Sequence, residues 1–194
     1  YAAFVLCLTG LLGIAVTGDV FNVFVFLEVS SLSAYALIAL GQDRRALTAA
    51  YQYLIMGSIG ATFIVIGIGM MYVMTGTLNI ADLARMVAER TEAGVPLPTG
   101  FTGLSVLLLI VFGLKGAFFP LWFWLPDTYH TFPVSIAALF SGLLTKIGVY
   151  AVLRTFPLVF AAGEARDVVL PLLAISAGFT MFLGVLGAVS QNQV

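Results

Sequence analysis

Three ionisable residues stand inside apolar runs: Glu28 in "FNVFVFLEVSSLSAY", Lys115 in "LLLIVFGLKGAFFPLWFWLPD" and Lys146 in "LFSGLLTKIGVYAVL". A carboxylate and two amines are groups that take up and release protons. Each costs about 2.5–3.5 kcal/mol at the centre of a membrane helix on insertion scales, so such residues face one another or water. One carboxylate cannot neutralise two ammonium groups. The odd lysine must shed its proton, stand in water or find a partner elsewhere, and each of these is what a proton pathway requires. The structural alternative is an inert buried ion pair that only fixes helix register.

The neighbours of these residues extend the pattern. Pro120 has no N–H to offer the carbonyl of Gly116, and its ring crowds that carbonyl, so the helix carrying Lys115 is expected to break at Pro120. Gly113 and Gly116 leave room beside the lysine, and a break at membrane depth is tolerated where protein or a wet cavity satisfies the backbone. Ser135, Gly142 and Lys146 fall along one face of the next segment. Glu28 shares a face with Ser31 and Tyr35, which are hydroxyls for a water file or ordinary helix-helix contacts. The connecting stretch "WFWLPDTYHTFPV" holds Asp127 and His130. A histidine's unperturbed pKa lies near neutrality, so His130 could relay a proton, or it is an interfacial polar residue beside an aromatic belt.

The elements that must position these groups follow from composition. Of 194 residues, 61% are hydrophobic and 9% charged, which excludes an ordinary soluble domain. Six stretches, about 1–17, 20–41, 50–75, 101–124, 133–156 and 168–190, reach or approach the roughly 20 residues needed to span a bilayer. The expectation is an all-α bundle of about six membrane spans. The polar connection 76–100 should lie on the membrane surface and hold a short helix capped by Asn79, with an apolar stripe of Ile80, Leu83, Met86 and Val87. Tyr1 opens directly in an apolar run and Val194 follows the last span, so the chain reads as an internal piece of a longer membrane protein. The basic cluster "GQDRR" marks a cytoplasmic loop, but Arg85, Arg90, Arg154 and Arg166 would then lie opposite, and orientation stays open. Cys7 is a small packing residue. No metal-ligand spacing, phosphate loop, paired nucleophile and base, or basic patch is present. Cofactor, metal and nucleic-acid functions therefore have no motif here.

Two stretches, "TGDVFNVFVFLEVSSLSAYALIALG" and "GLKGAFFPLWFWLPDTYHTFPVSIAALFSGLLTKIGVYAVLR", make the chain resemble the antiporter-like subunits of Mrp-type multisubunit cation/proton antiporters and of the membrane arm of respiratory complex I. The wording is most similar to the Mrp branch. The resemblance implies fourteen spans with two inverted five-helix repeats, of which residues 1–157 would be the first repeat and 168–190 the first helix of the second. It also implies that Glu28 is the glutamate paired with the broken-helix lysine, Lys115, and that Lys146 lies on the central hydrophilic axis. The family loop commonly carries two prolines where this chain has Pro133 and then Ser135, and His130 receives no role from the resemblance. The implied function is proton translocation coupled to export of Na+ or another monovalent cation, in a multisubunit complex of a bacterial plasma membrane. A proton-pumping subunit of complex I or of a membrane-bound hydrogenase is the alternative, and a non-transporting assembly scaffold is the reading from a different class.

Overall fold

A computed structural model describes residues 1–40, 44–130, 137, 140–160 and 163–190, without the side chains of Asp127 and His130. The chain forms α1 (Ala2–Val16), α2 (Val20–Ala39), α3 (Arg44–Thr75), α4 (Ile80–Glu92), α5 (Phe101–Lys115) and α6 (Leu125–His130), then α7 (Thr145–Thr155) and α8 (Gly163–Ser190). Single π turns, Phe140–Leu144 and Phe156–Phe160, flank α7. Among the described residues no β-strand occurs; a lone antiparallel bridge joins Asp19 to Asn79. Helices α2, α3, α8 and the run Phe140–Phe160 are long and apolar enough to cross a membrane, while α1 and α5 are apolar but shorter. These six segments correspond to the six expected spans. α3 starts earlier than position 50, at Arg44, and α5 stops well before 124, at Lys115.

Polar residues at the helix ends set where the helices begin and how they are tied. The Asp19 carboxylate accepts from the Asn22 amide at 3.0 Å and caps α2. The Asn79 side-chain oxygen Oδ1 accepts from the Ala81 and Asp82 amides and caps α4. Satisfying these orphan donors is worth about 1 kcal/mol per helix. The two starts are also joined, Val20 N–H donating to Leu78 and Ile80 N–H to Gly18, both at 2.9 Å. Pinned this way, α4 turns its stripe inward. Leu83 and Val87 are fully buried in the cluster that also holds Phe156, Val159 and Phe160, so the stripe packs against protein.

Arg154 shows a second tie. Its guanidinium donates to the Ile14 and Ala15 carbonyls at 3.2 and 2.8 Å, the last acceptors of α1, and the Tyr150 hydroxyl reaches the same Ala15 carbonyl at 3.1 Å. A cation at a helix C-terminus satisfies orphan carbonyls and the helix dipole together. The residue that sequence offers only as a topology marker thus locks α1 to α7.

Candidate functional site

The break in the lysine-bearing helix begins four residues before Pro120. Gly116 N–H still bonds to Phe112, but Ala117 N–H turns back to Leu114 at 3.3 Å and Phe118 N–H to Gly113 at 2.8 Å. Ala117 is left-handed, with φ 54°. This is the pattern of a Schellman C-cap, in which the residue past the end takes the left-handed conformation and two amides satisfy the final carbonyls. The Phe118 ring packs on Gly113, the hydrophobic contact that accompanies such a cap. Trp124 Nε1–H donates to the Leu114 carbonyl at 3.1 Å and closes the turn from the far side. Pro120 lies within the non-helical stretch that follows, after a cis peptide.

Lys115 is therefore the last residue of α5, and this answers part of its cost. The ammonium stands at the negative end of a helix, worth up to about 2 kcal/mol when partly buried. Its Nζ donates to Ser31 Oγ at 2.8 Å, a hydrogen bond from a charged donor worth about 1.5–3 kcal/mol. Together these are of the order of the insertion cost quoted above. Lys115 is only 6% exposed.

Glu28 lies one turn before Ser31 on α2, half-buried, with one carboxylate oxygen enclosed and without a hydrogen-bond partner. Glu28 and Lys115 interact through their charges. No ion pair closer than 4.0 Å joins them, for those found among the described residues are Arg85 with Asp82 and Arg85 with Glu89. The direct partner of the lysine is the serine. Of the buried serines on α2, Ser30 and Ser33 donate to carbonyls of their own helix, at Leu27 and Val29, whereas Ser31 reaches another helix. One turn further, Tyr35 is buried with its hydroxyl close to Ser31 but outside hydrogen-bond geometry. It fits because position 57 is glycine: a Cβ there would collide with the Tyr35 hydroxyl. Tyr35 meets Tyr53 edge-on at 5.0 Å, and Tyr53 stacks on Trp124 at 4.7 Å. An aromatic wall thus runs from the serine to the residue that caps the break.

Ser31→Ala removes about 1.4 kcal/mol of hydrogen bonding to the ammonium and should lower the melting temperature of the protein by about 2–4 °C, whereas Ser31→Thr should keep it; thermal unfolding in detergent checks both.

Lys146 stands apart. α7 packs on the break through Gly148, whose hypothetical Cβ would come 2.6 Å from Gly116 Cα and 2.8 Å from the Lys115 carbonyl carbon. Two residues are about 200° around a helix, so Lys146 points away from that contact. It is exposed and donates to the Ser141 carbonyl at 2.6 Å, across the π turn Phe140–Leu144. Among the described residues no hydrogen bond or ion pair links it to Lys115 or Glu28. Ser135 and the side chain of His130 lie outside the described residues. No cluster of three or more His, Cys, Asp or Glu that could hold a metal is found among the described residues. Gly148, Gly57 and the hydroxyl of Thr180, which meets the break at Phe119, are contributors that the sequence reading passed over.

A broken helix with a buried terminal lysine, crossed by a second lysine helix, is matched over residues 17–194 by the family model described as NADH:quinone oxidoreductase/Mrp antiporter, transmembrane. The chain belongs to this family. Among its relatives, the D-type subunit of the Na(+)/H(+) antiporter of Alkalihalophilus pseudofirmus is 44% identical over 191 residues, which is 98% of this chain and 37% of that protein. The N-type subunit of the NADH-quinone oxidoreductase of Desulforudis audaxviator is 41% identical, over all of this chain and 38% of its own length. A component of the solved structure of the Mrp complex from Dietzia sp. superposes with a TM-score of 0.83 at 31% identity, covering 97% of this chain and 34% of that one. The chain thus spans well under half the length of the relatives it matches. As a member of the NADH:quinone oxidoreductase/Mrp antiporter family with several membrane-length apolar helices, it is a multi-pass protein of the plasma membrane.

Proposed function

We propose that the chain translocates protons as part of a secondary transporter, coupled in a multisubunit complex of the bacterial plasma membrane to export of Na+ or another monovalent cation. The observation that carries this reading is Lys115: an ammonium 6% exposed, hydrogen-bonded to a neutral serine and, among the described residues, not clamped by a carboxylate. A lysine locked in a tight ion pair cannot easily give up its proton; one held by Ser31 and only electrostatically biased by Glu28 can. Glu28 is the control. While ionised it favours the charged lysine, and when it is protonated or its charge moves away the proton on Lys115 is released. Its unpartnered oxygen is where a water or proton would be received, because a buried acceptor left unsatisfied is costly. Lys146 would take the proton onward along a water-lined axis, from the outer side of α7. In this reading residues 1–157 form the first repeat of the family fold and 168–190 open the second.

The Desulforudis relative at 41% identity favours a second reading, a proton-pumping subunit of a redox-driven complex, with the same proton-handling residues. The Mrp assignment takes precedence because the 44% identical relative belongs to an antiporter.

The switch is tested at Glu28. Glu28→Gln removes the charge and keeps the shape, and should depress cation-dependent proton movement in membrane vesicles by about tenfold or more. Glu28→Asp should retain part of the activity. In a double-mutant cycle with Lys115→Ala the losses should be far from additive, since groups that act as one unit share a single loss. Additive losses, or a Gln variant as fast as the wild type, would remove Glu28 from the mechanism and leave it a structural polar residue.

A further inference from the structure

The amides around the break divide in an uneven way. Those of Gly116, Ala117 and Phe118 return to α5, Leu121 N–H bonds to Phe118, and Pro120 has none. Phe119 N–H leaves the segment: it donates to Thr180 Oγ1 on α8 at 2.8 Å. Thr180 is built to accept. Its own hydroxyl proton is directed to the Ser176 carbonyl at 2.6 Å, so an oxygen lone pair faces outward to the break. The rings of Phe119 and Phe179 meet beside it at 5.2 Å. Elsewhere α8 is mostly exposed, with Met181, Phe182 and Val185 each more than 60% accessible. α8 therefore holds the break with one hydrogen bond and one ring contact, four residues past Lys115.

We infer that Thr180 is a positioning residue that fixes the lysine-bearing break against α8 and so sets the direction of the Lys115 ammonium. The physical reason is the economy of the break. A non-helical stretch in an apolar environment must have each amide satisfied, and for Phe119 the described acceptor lies on another helix. Any displacement of α8 relative to α5 must pull on that amide or release it. The backbone from Phe119 to Lys115 is a short capped turn that transmits the pull. This inference rests on the reading of Lys115 as the proton-carrying group.

The test uses Thr180→Val, which keeps size and branching but removes the acceptor, and Thr180→Ser, which keeps the hydroxyl. Both are made in the full-length chain within its complete complex. Hydrogen–deuterium exchange of the peptide spanning 116–124 should become about tenfold faster in the Val variant and remain as in the wild type in the Ser variant. Proton-driven cation movement should fall about fivefold or more for Val, with its pH profile displaced, and be restored by Ser. Unchanged exchange in the Val variant overturns the anchoring. Faster exchange with the rate and pH profile of the wild type overturns the positioning role. An active Lys115→Ala would instead defeat the reading of the lysine and leave the exchange result standing, so the two failures are distinguishable.

Discussion

Lys115→Ala abolishes proton-coupled cation movement, to below about one hundredth of the wild-type rate, while the assembled complex stays detectable in the membrane. The rate loss is expected because the substitution removes the group proposed to carry the proton, for which neither Ser31 nor water at the same place supplies an equivalent base. Assembly survives because the exchange takes a buried cation out of an apolar site that, among the described residues, holds no close ion pair. The hydrogen-bonded partner left behind is a serine, which can turn its hydroxyl to a carbonyl of its own helix as Ser30 and Ser33 already do, and the half-buried Glu28 can take up a proton and become neutral. Everted vesicles with a pH-sensitive dye, set against an immunoblot of the complex, measure both sides. Transport at the normal rate would exclude Lys115 from the path.

The second large effect comes from a residue with no side chain. Gly148→Ala should lose both transport and thermal stability of the complex, because the added methyl would sit 2.6 Å from Gly116 Cα, where backbone meets backbone and no flexible side chain can yield. Overpacking of this kind costs about 1–3 kcal/mol or more, and here the displaced atoms belong to the turn that ends at Lys115. Gly142→Ala on the same segment is the internal control, since a Cβ there meets nothing within 4 Å, and it should leave rate and melting temperature nearly unchanged. Equal behaviour of the two variants would show that α7 does not rest on the break as described.

These two residues show what could be read from the chain and what could not. Lys115 is legible because an ionisable group in an apolar run has a cost that sequence exposes at once. The helices are legible for the same reason, through hydropathy and length. Gly148 is not: a glycine in a membrane helix is ordinary, and only the approach of a backbone more than thirty residues away makes it necessary. The end of α5 was half legible. Pro120 signals a break, but the helix closes at Gly116 through a left-handed alanine, a conformation that an alanine does not advertise. Glu28 and Ser31 share a face three residues apart, so spacing alone cannot tell which of them reaches the lysine; the helix crossing decides for the serine. The stripe on α4 likewise shows that one face is apolar without showing whether lipid or protein covers it.

The position of Lys115 at the end of a fifteen-residue helix bears on electricity as well as on acid and base. Fifteen residues rise about 22 Å, against an apolar layer of about 30 Å, so a helix that starts at one face of the layer carries its last residue about seven-tenths of the way across. A proton that reaches it has crossed part of the membrane voltage. For about seven-tenths of the drop, the work is about 1.6 kcal/mol per 100 mV. That changes the ratio of loaded to empty lysine by about fifteenfold at fixed pH. In the proposed mechanism, energising the membrane therefore loads or empties this lysine according to which face it is open to, without any change in the acidity of either compartment.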